Sequence, residues 1–207
     1  MPSEAMKPDA GATVPKRRVR ADAKRNEDAV LEAAKEVFAT LGVDAPVREI
    51  AAKAGVGVGT LYRRFPTRSD LVAAVFRREV DACAATAATL SAAHTPGDAL
   101  VRWLNRYTDF IAAKKGLAAA LHSGDPAFDA LPDYFRSNFE PVLAGLLDAA
   151  AKAGEVRGDI APYDLLRAIA NLSVAGVGDA AGAAHTRSMV DLLVDGLRFG
   201  AVKAPGR

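Results

Sequence analysis

Apolar residues recur at three- and four-residue steps along most of the chain. From Asn26 onward, Val30, Ala33, Ala34, Val37, Phe38 and Leu41 fall on one face of a helix, which Gly42 closes as a C-terminal cap. Pro46 opens a second, short helix, VREIAAKA, with Asp44 near its start and Ile50 and Ala54 on its inner side. Gly55 stands where that helix must stop and the chain reverse, a position suited to positive φ. A third helix follows, with Gly57 at its N-cap and Pro66 ending it. At about 100° per residue, Val58, Leu61 and Phe65 share one side with Tyr62 beside them, while Gly59, Thr60, Arg63 and Arg64 lie opposite. Two helices joined by a tight glycine turn, the second cationic on one face, form either a DNA-reading helix-turn-helix or an ordinary helical hairpin.

The same period continues to the end. Residues 68–93 read as one long Ala-rich helix, and Thr95-Pro96-Gly97-Asp98 starts another. Leu100, Leu104, Tyr107 and Ile111 form its stripe, Trp103 and Phe110 widen it, and Lys114-Lys115-Gly116 closes it. Asp125-Pro126 begins a short segment carrying Phe128 and Leu131, and a helix at about 133–153 contains Pro141 in its first turn or at a kink. After the loop GEVRGDIAP come helices at roughly 162–180 and 185–200. The apolar residues of the last helix sweep an arc of roughly 220°, against the ~100° that a surface helix needs. Either a second partner surface or burial inside a large monomer accounts for that breadth.

Half of the 207 residues are apolar and aromatics make up 6%, so an all-α fold is expected, with a core large enough for one or two domains. The net charge of +2 is uneven: residues 1–80 carry 15 Lys+Arg against 11 Asp+Glu, and residues 81–207 carry 12 against 14. A basic first part fits a polyanion. Residues 16–25, KRRVRADAKR, hold six cations and read as a solvated tail or a basic arm on DNA. The lone Cys83 excludes an internal disulfide framework and a cysteine zinc site. No apolar run reaches the ~20 residues of a membrane span, and no signal-peptide core stands at the N-terminus, so a soluble cytoplasmic protein is expected. His94, His122 and His185 show no metal-ligand spacing, and no nucleophile elbow, phosphate loop or dinucleotide fingerprint is present. The expectation is no enzyme, no metal and no cofactor. A helical adaptor without DNA binding remains the rival class.

Residues 26–71 resemble the DNA-binding domain of tetracycline-repressor-like (TetR) transcriptional regulators. The resemblance rests on Phe38 to Gly42, Ile50-Ala51, Ala54-Gly55-Val56, Gly59-Thr60-Leu61-Tyr62, Phe65, and Arg68 with Leu71. It departs from the family at Pro46 (usually Thr), Gly57 (often Ser) and Arg68 (usually Lys). It implies that Thr60 and Arg63 read base edges, with Gly57, Gly59 and Arg64 on the same surface. Tyr62, Arg48 and Arg68 would hold phosphates, and Lys24 and Arg25 would lead in from the arm.

The later part resembles the subgroup with an SbtR-like C-terminal domain, through Gly154-Glu155-Val156-Arg157 to Asp164-Leu165-Leu166. This implies about nine helices in all: a disordered basic arm over 1–25, a helix-turn-helix domain over 26–66, and a ligand-binding and dimerisation domain over 67–207. The implied effector is a small molecule, apolar with a polar group. Its candidate liners are Trp103, Arg106, Tyr107, Phe110, His122, Phe128, Phe135, Phe139 and Asn171. A homodimer would be sealed by Leu166, Ile169, Val174, Val177, Met189, Val190, Leu193, Val194 and Leu197. The implied function is a repressor of a palindromic double-stranded DNA operator on the nucleoid, released by that effector, with no membrane partner.

Overall fold

A computed structural model describes the backbone of residues 16–114, 123–175 and 180–199. Among these residues the chain is built of eight α-helices and one 3-10 turn, with no strand. The helices are α1 (Lys16–Leu41), α2 (Val47–Ala54), α3 (Val58–Arg64), α4 (Arg68–Ala93), α5 (Pro96–Lys114), α6 (Leu131–Lys152), α7 (Pro162–Ala175) and α8 (Ala180–Phe199). The 3-10 turn, Pro126–Phe128, lies between α5 and α6. The basic segment expected as a disordered arm enters α1 at Lys16, fourteen residues before Val30, where the apolar stripe begins. Periodicity places a helix only where apolar residues recur over several turns, and six of residues 16–25 are cations.

The head consists of α1, α2 and α3. Val30, Ala33, Ala34, Val37 and Phe38 of α1 are buried against Ile50 and Ala51 of α2. Gly55 takes φ 68° and donates to the Ala52 carbonyl at 3.2 Å, and Val56 donates to the Ala51 carbonyl at 3.0 Å. That left-handed cap turns the chain from α2 into α3, and a side chain there would be strained. Leu61 and Phe65 anchor α3 from behind. Val58, expected beside them, is 40% exposed and shares little of that work.

The long helix α4 joins head to body. Its start is fixed by a reciprocal cap: Asp70 N–H donates to Thr67 Oγ1 and Thr67 N–H to Asp70 Oδ2, each at 3.0 Å. Two side chains of α4 reach back to α1. Lys35 pairs with Glu79 at 3.0 Å, and Arg78 pairs with Glu32 at 3.1 Å while donating to the Asp28 carbonyl at 3.0 Å. Such partly exposed pairs add ~1 kcal/mol or less each, so they set register more than stability.

In the body, α4, α5, α6 and α7 surround Trp103, Leu104, Tyr107, Phe139, Leu143, Leu166 and Ile169, all buried. The loop after α6 caps α5: Glu155 Oε2 accepts from Gly97 N–H at 2.9 Å and from Thr95 Oγ1 at 3.4 Å. A Cβ on Gly97 would meet that same oxygen at 2.2 Å, which is why glycine stands there. Pro141 lies in the interior of α6 rather than in its first turn. Cys83 is buried in the same core, and burial pushes its thiol up to about 12, so it packs as a small hydrophobe.

Candidate nucleic-acid interface

The outward face of α3 is short, cationic and smooth. Gly57 caps the helix in an extended conformation (φ −70°, ψ 143°) without a side-chain bond to the helix N–H groups. A Cβ at Gly59 would meet nothing within 4 Å, and one at Gly57 only Thr60 Oγ1 at 3.9 Å. Neither glycine has positive φ. Nothing inside the described fold therefore requires glycine at these two places, although glycine in a helix costs ~0.5–1 kcal/mol relative to alanine. The space they leave opens outward.

Thr60 and Arg63 border that space. Arg63 Nη2 donates to Thr60 Oγ1 at 3.0 Å, so guanidinium and hydroxyl stand side by side at the surface. Tyr62 is 47% exposed. Arg64, on the same helix, is engaged: its Nη2 pairs with Glu27 of α1 at 2.8 Å, and this bond raises its pKa further above the ordinary arginine value. Sequence periodicity placed Arg64 on the polar side without showing Glu27, thirty-seven residues away. Lys24 and Arg25 are exposed on α1, where Arg25 pairs with Asp22. Arg48 is exposed on α2, with Glu49 at 3.6 Å.

Arg68 differs from its expected role as a phosphate clamp. It is half-buried, and its Nη1 donates to the carbonyl oxygens of Val43 and, at 2.8 Å, Ala45. It thus ties the start of α4 to the α1–α2 loop and positions the head. The sequence showed a cation at a helix start; the carbonyls came from a distant turn.

The expected effector liners divide. Trp103, Tyr107, Phe110, Phe135 and Phe139 meet in one cluster, with ring centres 5.8 Å (Trp103–Tyr107), 5.3 Å (Tyr107–Phe139), 5.2 Å (Phe110–Phe139) and 4.9 Å (Phe135–Phe139) apart. These are ring-to-ring contacts, so the cluster is filled by its own side chains. Tyr107 donates its hydroxyl to the Leu166 carbonyl at 3.2 Å, and burial holds its pKa well above the ordinary phenol value. Trp103 Nε1 is buried without an acceptor among the described residues. Arg106 and Asn171 do not join the cluster; both are exposed, because they fall on the outer faces of α5 and α7. Phe128 is buried elsewhere, beside Val43, Ser69 and Val72. His122 lies outside the described residues.

The dimer residues divide as well. Leu166, Ile169 and Val190 are fully buried within the protomer, and Val194 and Leu197 nearly so, because this arc of α7 and α8 faces the body's own core. They are unavailable to a partner in this conformation. Met189 and Leu193 are half-buried and line a shallow apolar groove with Ile160, Leu172 and Leu192. Leu192 and Phe199, 65% and 80% exposed, extend that outer face and were missing from the expected set. Val177, and the side chain of Val174, lie outside the described residues.

A glycine-turned helix pair carrying an exposed cationic helix, set on a separate helical body, defines a helix-turn-helix DNA-binding regulator. Residues 30–75 match the bacterial regulatory proteins of the tetR family, and residues 95–199 match the SbtR-like transcriptional regulator C-terminal domain. A TetR transcriptional regulator from Streptomyces coelicolor is 39% identical and superimposes with TM-score 0.71, covering 83% of this chain and 97% of that one. A TetR regulatory protein from Mycobacterium vanbaalenii is 38% identical, with TM-score 0.69 over 87% and 99%. The TetR-like regulator LfrR from Mycobacterium smegmatis, solved in complex with proflavine, is 25% identical, with TM-score 0.59 over 88% and 99%. An HTH-type transcriptional regulator of Staphylococcus aureus is 41% identical over 64 residues, 30% of this chain and about a third (35%) of that protein. The chain belongs to the TetR family and is a DNA-binding transcriptional regulator with an SbtR-like C-terminal domain. No helix among the described residues is long and apolar enough to cross a membrane.

Proposed function

We propose that this regulator is a homodimeric repressor that holds a palindromic operator on the nucleoid and is released by a small molecule. The observation that carries the reading is the α3 surface, where Gly57 and Gly59 leave unfilled outward space beside Thr60 and Arg63. A duplex major groove admits a helix whose small residues allow close approach and whose guanidinium and hydroxyl groups reach base edges. On this reading Tyr62, on the same helix, and Arg48, Lys24 and Arg25, exposed on α2 and α1, supply the phosphate partners. Arg68 acts through the head's geometry, and Arg64 reaches phosphate only by leaving Glu27.

Dimerisation is supported by the outer face of α8, where Met189, Leu192, Leu193 and Phe199 leave apolar area uncovered in the protomer. A two-fold partner on this face brings two α3 helices to one side of a duplex, reading half-sites ~34–36 Å apart. Release by a small molecule is supported by the related regulator solved with proflavine. It is also supported by the layout, because α4 belongs to the body's core and holds α1 through Lys35, Glu79 and Arg78. A ligand that prefers one placement of α4 shifts operator affinity by its differential affinity for the two states.

Footprinting the full-length protein on DNA upstream of its own gene tests the reading. The expected result is a protected palindrome, with affinity falling steeply as salt rises because phosphate contacts release counterions. Binding that ignores salt and sequence would return the chain to the helical-adaptor class.

A further inference from the structure

A cavity of about 90 Å³ lies between head and body, outside the aromatic cluster except for one shared ring, Phe110. Phe38 of α1, Phe76 of α4 and Phe110 of α5 supply its apolar walls. Three charged groups also line it: Lys35, Glu79 and Lys114. The first two neutralise each other at 3.0 Å. Lys114 has no such partner: among the described residues no carboxylate pairs with it, and its amine lies 5.2 Å from the centre of the Phe76 ring and 5.6 Å from that of Phe135. A lysine that only closes a helix extends its ammonium into water. This one turns over two phenyl rings, where burial lowers its pKa below the ordinary lysine value.

We propose that this cavity binds a small apolar monocarboxylate, its carboxylate paired with Lys114 and its hydrocarbon part between Phe38, Phe76 and Phe110. The charge balance selects the class, since two ammonium groups and one carboxylate leave a single positive charge for the ligand to neutralise. Size narrows it. A 150 Å³ apolar cavity holds benzene, so 90 Å³ holds roughly four non-hydrogen atoms, the chain of a butyrate-sized acid. An amide of the same shape leaves the ammonium unpaired, and an alkylamine opposes it. Because the walls belong to α1 on one side and to α4 and α5 on the other, the occupant bears on both head and body. Only that last consequence, an effect on DNA binding, rests on the regulatory reading above.

The test is an NMR titration of the full-length protein without DNA, using butyrate, butyramide and butylamine. Butyrate is expected to bind at least tenfold more tightly than either of the others. Lys114→Met, which keeps the apolar stem, abolishes that preference, and Lys114→Arg restores it to within about threefold. Ala113→Leu, at the exposed mouth, weakens butyrate without altering the fold, as thermal unfolding checks. Equal binding of butyrate and butyramide, no binding by butyrate, or an undiminished preference in Lys114→Met overturns the site. A second titration, of operator DNA with and without butyrate, keeps the two readings apart. Butyrate that binds through Lys114 yet leaves operator affinity unchanged supports the site and removes it as an effector switch.

Discussion

Replacing Gly59 with alanine pulls stability and function in opposite directions. The backbone of Gly59 is helical without positive φ, and the added Cβ finds no atom within 4 Å. Alanine therefore loses less conformational entropy without any internal clash, stabilising the fold by ~0.5–1 kcal/mol. For a chain of this length that is a rise in Tm of about 1–4 °C. The same methyl group stands on the face proposed to enter the groove, beside Thr60 and Arg63. Two such groups per dimer push both reading helices away from the bases, and operator affinity is expected to fall at least tenfold, about 1.4 kcal/mol. No charge changes, so the slope of log affinity against log salt stays the same. Circular dichroism melts and fluorescence anisotropy on operator DNA measure the two effects. A lower Tm refutes the statement that the site is empty, and wild-type affinity in a stabilised variant refutes the close approach of this face.

Arg63→Ala is expected to relax preference at one or two base pairs per half-site, by ~1–3 kcal/mol, in competition binding with single-base operator variants. A loss uniform over all sequences would place Arg63 on phosphate instead. Leu192→Glu puts a charge on the exposed outer face of α8 and should yield folded monomer by sedimentation, whereas Val190→Glu, on the fully buried face, should unfold the chain. Sedimentation of Leu192→Glu as dimer removes α8 from the interface. Gly97→Ala displaces Glu155 from the start of α5, breaking its bonds to Gly97 N–H and Thr95 Oγ1. The cost is ~1–2 kcal/mol, read as a Tm lowered by about 2–8 °C, and an unchanged Tm shows that the cap contributes nothing.

Much of the reading head was legible because its rules are local. Gly55 had to leave the helical region for the chain to turn, and it does so at φ 68°. Leu61 and Phe65 share a side of any helix drawn through them, as Thr60 and Arg63 share another, whatever the head packs against. The long α4 and the stripe of α5 followed from the same period, while the Thr67–Asp70 cap that fixes the start of α4 was seen only in the structure. Length of the first helix escaped because residues 16–25, six of them cations, carry no sustained apolar period in the sequence.

What the order of residues determined alone, then, was which positions turn, which helices exist and which side of α3 is polar, since each depends on neighbours within one or two turns. Tertiary structure decided how cations are employed: Arg68 found carbonyls of Val43 and Ala45, Arg64 found Glu27, and Lys114 found two phenyl rings. It also decided which part of the broad apolar arc on α8 faces inward, burying Val190 and leaving Leu192 outside. The physical reason is range. A backbone cap is settled by bonds a few residues long, whereas a charged group or an apolar arc takes its role from whatever distant surface the fold lays against it.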